Sequence, residues 1–140
     1  MDNSLEQIKQ LAGQYFSDLT KVETKVLESA VTGRLADCRD VDGAEVDPEK
    51  AMDWNGERIV RASLIRWLCT NKDTRSAIHS AGINIAHAKF DGEIDLVGIS
   101  IGFSLSLFEC AIPDGLRLQD AALRNLNLAG SLCGYLIGER

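Results

Sequence analysis

The chain has 140 residues and a formal net charge of −6, with 45% of its residues hydrophobic. That length suits one domain or a small two-part unit, and the acidic balance argues against general nucleic-acid binding, which needs cations facing the phosphates. No apolar run reaches the ~18 residues of a membrane span, the start MDNSLEQ is too polar and acidic for a secretory signal, and Cys38, Cys69, Cys110 and Cys133, which lack CxxC spacing, read as reduced thiols of a cytoplasmic protein.

Residues 1–80 read as a helical, capping region. Leu5, Ile8, Leu11, Ala12, Tyr15, Phe16 and Leu19 recur at helical spacing, the signature of a first amphipathic helix. Thr20 and Glu23 have the spacing of a capping box that opens a second helix. This helix places Val22, Val26, Leu27, Ala30 and Val31 on one side and stops at Gly33. The two helices are expected to pack as a hairpin. Residues 34–47 are predicted to be a loop. Asp47-Pro48 opens a short third helix, with proline at its tolerated first position. A fourth helix is predicted from Arg58 to Cys69, burying Ile59, Ala62, Ile65 and Leu68, and Trp54 and Trp67 are expected to pack among the helices.

Residues 81–140 read as a repeat. The units are AGINIAHAKFD (81–91), GEIDLVGISIG (92–102), FSLSLFECAIP (103–113), DGLRLQDAALR (114–124) and RNLNLAGSLCG (124–134), the last in register only if Arg124 is counted twice. Positions three and five are always Ile or Leu: Ile83/Ile85, Ile94/Leu96, Leu105/Leu107, Leu116/Leu118 and Leu126/Leu128. The residue between each pair is polar, so it points to the other face of a short strand. Position eight is mostly small (Ala88, Cys110, Ala121, Ser131, with Ile99 the exception), and position ten is apolar. Each unit therefore holds two short strands, with turns at Asp91-Gly92, Gly102, Pro113-Asp114-Gly115 and Gly130. Strands this short are not stable alone, but stacked coils bury a continuous apolar column. Two units of eleven make one coil of 22. That register puts Asp95 and Arg117 together on one face, and Asn84, Ser106 and Asn127 in a ladder on the opposite face. The column's N-terminal end is expected to be capped by helix 58–69.

The five-residue spacing, with a small residue two before each central apolar one (Ala88/Phe90, Cys110/Ile112, Ala121/Leu123), resembles a divergent pentapeptide-repeat protein. Upstream, Glu23-x-x-Val26-Leu27-x-x-Ala30-x-x-Gly33, Ala36-Asp37, Arg58-x-Val60-Arg61-Ala62-x-x-Ile65-Arg66-x-Leu68, Gly82 and Gly92-x-x-Asp95-Leu96 are similar to the start of longer, uncharacterised bacterial pentapeptide-repeat-like proteins. The resemblance implies an α+β fold in which N-terminal helices cap a short right-handed quadrilateral parallel β-helix of about two and a half coils. It implies no reaction.

The acidic stretch Asp40-Val-Asp42-Gly43-Ala-Glu45-Val-Asp47-Pro-Glu49 invites a calcium-loop reading with Gly43 at the sixth position. The first ligand would then be Cys38, a poor donor for a hard cation, and Pro48 interrupts the exit, so the stretch reads as a solvated loop and helix cap. His87 and Glu109 share the seventh position two units apart and should stack at one corner. No outward Ser or Cys lies beside His87, so a surface pair is preferred to a nucleophilic site, which needs a convergent base and nucleophile. His79 lies outside the repeat. No catalytic, cofactor-binding or metal-binding residue is nominated, and no cofactor is expected.

The first functional expectation is a non-enzymatic protein-interaction or structural module that presents a β-helix face to an unknown partner protein. The alternative is a DNA mimic acting on a topoisomerase, as some pentapeptide-repeat proteins do. Its difficulty is height: a ladder of two and a half coils gives ~12 Å against ~34 Å for a DNA turn. The third reading is an unidentified enzyme or ligand binder using the groove between helices and β-helix. No nucleic-acid or membrane partner is expected. Tyr135-Leu136-Ile137 at the open end of the column favours a homodimer through the C-terminal coil, unless the natural chain continues or the tail folds on itself.

Overall fold

The computed structural model describes residues 4–39, 46–54, 56–134 and 136–137. Helices α1 (Ser4–Tyr15) and α2 (Lys21–Thr32) form the expected hairpin. The boundaries of α2 follow from its caps. The Thr20 hydroxyl accepts from the Glu23 amide at 3.1 Å, and the Glu23 carboxylate accepts from the Thr20 amide at 3.2 Å, which satisfies two orphan donors at once. At the other end Gly33 turns left-handed, with φ 77°, and donates its amide to the Ser29 carbonyl, as a helix C-terminus requires.

Two segments of the N-terminal half depart from the expected pattern. Leu35–Asp37, predicted as loop, is strand β1. The fourth helix is also shorter than predicted. After a 3-10 turn at Gly56–Arg58, Ile59–Arg61 forms strand β2, and only then does α3 (Ala62–Thr70) begin, followed by α4 (Lys72–Arg75). In both cases pairing with a later strand outweighs local preference. Ala36 lies beside Ile85, and Val60 lies beside Phe90.

The repeat region supplies β3 (Ile83–Ala86), β4 (Lys89–Asp91), β5 (Ile94–Asp95), β6 (Ser104–Phe108), β7 (Ala111–Ile112), β8 (Leu116–Arg117), β9 (Asn125–Asn127), β10 (Leu132–Cys133) and β11 (Leu136–Ile137). They stack in parallel as a right-handed quadrilateral solenoid. The first face is ordered β1-β3-β6-β9, the second β2-β4-β7-β10 and the third β5-β8-β11. Among the described residues the fourth face is represented by one bridge, Ser100 with Ala122. Ile83 pairs with Leu105 and Ile94 with Leu116, 22 residues on. The next coil is tighter. Leu105 pairs with Leu126, 21 on, which is the residue lost at Arg124, and Leu116 pairs with Leu136, 20 on.

Asp95 pairs with Arg117, and Asn84, Ser106 and Asn127 form one ladder on the first face, as the register demanded. Ser106, although it points outward, is only 7% exposed. Inward, Ile83, Ile85, Ala88, Ile94, Leu96, Leu105, Leu107, Cys110, Ile112 and Leu116 are fully buried. They join the helices in one continuous core.

The N-terminal cap is shared rather than supplied by one helix. Below the first complete coil, β1 underlies the first face and β2 the second, while α3 packs against β5 of the third. Arg75 at the end of α4 donates to the Ser100 carbonyl of the fourth at 2.8 Å. From α2, the Ser29 hydroxyl donates to the Asn84 carbonyl and accepts from the Asn84 amide, covering backbone groups of the kind that otherwise leave a sheet edge open. Trp67 is buried among the helices, 5.8 Å from the rings of Tyr15 and Phe16. Trp54 is not. It packs with Ala51 on Ala111, on the outer side of the second face, where the 3-10 helix Pro48–Asp53 lies.

Candidate functional site

Among the described residues, the corner between the first and second faces gathers a histidine, two carboxylates and two arginines. It is built by backbone conformation. His87 follows β3 and Glu109 follows β6, and both are left-handed, with φ of 63° and 49°, uncommon for residues with a Cβ. Gly130 follows β9 at the same corner with φ 72°. The ladder continues through the turn, since His87 donates to the Phe108 carbonyl and Glu109 to the Ala129 carbonyl. Side chains at one corner are therefore held one above another. A Cβ on Gly130 would sit 2.9 Å from Glu109 Cγ, so the glycine leaves room for that side chain.

His87 brings this stack together. Its Nδ1 lies 2.9 Å from Asp37 Oδ1, in the coil below, and its Nε2 lies 3.2 Å from Glu109 Oε1, in the coil above. Either neutral tautomer donates to one of these carboxylates, and the imidazolium donates to both. Asp37 is also gripped by Arg39, whose Nε and Nη2 reach Oδ2 at 3.0 and 2.6 Å. Burial opposes the Asp37 charge, but hydrogen bonds from Arg39 and His87 outweigh it and hold the carboxyl well below the usual range. Arg58, 2% exposed, donates from Nε to the His87 carbonyl at 3.1 Å, and its guanidinium lies 3.6 Å from the centre of the Trp54 ring, a cation–π contact.

The corner thus brings together the predicted pair His87 and Glu109, and adds Asp37, Arg39 and Arg58. Arg58 sat in a predicted helix, and Asp37 and Arg39 in a predicted loop, so their place in the stack had no signal in the repeat pattern. His79 is elsewhere. Its amide donates to the Ala30 carbonyl, and its Nδ1 accepts from the Ala81 amide. Of the acidic stretch, residues 40–45 lie outside the described residues. Asp47 caps the following 3-10 helix through the Glu49 amide.

Among the described residues, no activated nucleophile accompanies the imidazole. All four cysteines are free thiols. Cys110, next to Glu109, points inward, and burial pushes its thiol up to about 12, as it does for Cys38 and Cys69, so these sulfurs stay protonated. Ser131 is also committed, donating to the Leu107 carbonyl at 2.6 Å and accepting from the Cys110 amide at 2.9 Å. Among the described residues, no group of three His, Cys, Asp or Glu side chains is arranged to hold a metal ion, and no helix is long and apolar enough to cross a membrane.

Two clefts lie nearby. One of about 350 Å3, at the start of α2, is lined by Lys21, Lys25, Arg39 and Glu57. The other, of about 470 Å3, lies between the 3-10 helix and the second face and is lined by Met52, Ala111, Pro113 and Leu132. The chain matches no family model, no curated protein and no solved structure.

Proposed function

We propose that the chain is a non-enzymatic module of the pentapeptide-repeat-like kind, presenting the outer surface of a short β-helix to a partner protein. The observation that carries this reading is the corner stack. Both ring nitrogens of His87 face carboxylates of adjacent coils, so the group best suited to proton transfer is engaged in holding coils together. What faces outward is a set of short parallel strand faces. Charge also thins in the last coil: between Leu118 and Gly134 the charged residues are Asp120 and Arg124. Loss of charge at an apolar surface is the compositional mark of an interface core, and Leu132 in that coil is 47% exposed.

The DNA-mimic reading gains no comparable support. Glu93 and Asp95 on the third face are each matched by a cation, Arg117 at 3.3 Å and Arg66 at 3.5 Å. The four strands of the first face span only ~14 Å at ordinary strand spacing.

Photo-crosslinking residues placed singly at Asp95, Asn127 and Leu132 test the proposal in cells. The proposal expects one discrete adduct, with another protein or with a second copy of the chain, from one position and not the others. Equal labelling at all three positions, or none, would overturn it.

A further inference from the structure

We draw no further inference here: the strongest candidate, the apolar end of the last coil where Leu118, Leu123, Leu126 and Leu128 are only partly covered, is an unpartnered face, and nothing in the structure shows what covers it.

Discussion

Glu23 closes the capping box on Thr20, accepts the Arg61 amide at 2.9 Å, and takes Arg61 Nε and Nη2 at 2.9 and 2.8 Å. The side chain is 1% exposed, so it carries a charge into the core and survives there because each oxygen is met by donors. Burial opposes its ionisation, but the Arg61 hydrogen bonds prevail and its pKa is lowered from 4.5. A lowered carboxyl contributes its full stability above the unfolded pKa and loses it as pH falls through the folded one. Glu23→Gln should therefore cost about 1.5–3 kcal/mol at neutral pH, the range for hydrogen bonds to charged groups. It should also flatten the loss of stability below pH 4.5, while Asp37, another carboxyl held low, keeps its own contribution. Urea unfolding of both proteins at pH 7 and pH 3 checks this, and parallel acid losses would show that Glu23 is not a source of the dependence. A second residue-scale prediction concerns Gly82, whose φ is 86° and where a Cβ would meet the Ser104 carbonyl oxygen at 2.0 Å. Backbone cannot yield there as a flexible side chain would, so Gly82→Ala should cost about 3 kcal/mol or more, by strain and forced displacement. A midpoint near that of the parent protein would mean the coils are not packed this closely.

At the scale of elements, the pair Leu107 and Ser106 separates the two sides of β6. Leu107 is fully buried in the column and Ser106 sits between Asn84 and Asn127 in the outward ladder. Leu107→Ala should cost about 2–5 kcal/mol. Ser106→Ala should cost under about 1 kcal/mol, because the change removes a hydroxyl from the outer face rather than volume from the core. Equal denaturation midpoints would invert the assignment. The repeat strands were legible because the IxI and LxL pairs carry period two and recur at a fixed interval, so each unit corroborates the next. The capping box at Thr20 and Glu23 and the stop at Gly33 were legible because caps are local chemistry. β1 and β2 were not. Each is three residues long, and its partner lies tens of residues further along the chain, at Asn84–Ala86 and Lys89–Asp91. Arg58-Ile59-Val60-Arg61 also runs straight into a true helix, so its apolar residues merge with the helical pattern. For the same reason only two of the five corner residues could be read. His87 and Glu109 are tied by the repeat itself, whereas Asp37 and Arg58 reach the corner through elements that belong to no repeat.

At the scale of the whole molecule the two ends of the column differ. Its N-terminal end is closed by β1, β2 and the helices, and residues of the first full coil such as Ile83, Ile85, Ile94 and Leu96 are fully buried. In the last coil Leu118, Leu123, Leu126, Leu128 and Cys133 are only partly covered. Stacked repeats gain most of their stability from neighbours, and regions with less burial open first. Amide exchange should therefore be slowest at Ile83–Ala86 and fastest, within the strands, at Asn125–Asn127 and Leu132–Cys133. Uniform protection along the column would contradict this gradient. The whole fold rests on two eleven-residue units making one coil, so that residues two units apart are neighbours. Oxidative cross-linking of paired cysteines tests it directly. Asp95→Cys with Arg117→Cys places the two thiols on adjacent strands of the third face, with Cα atoms about 4.8 Å apart at ordinary strand spacing, within the reach of a disulfide. Asp95→Cys with Ser106→Cys places them one unit apart, on opposite faces. The account predicts rapid closure of the first pair and none of the second, and a disulfide between positions 95 and 106 without one between 95 and 117 would contradict it.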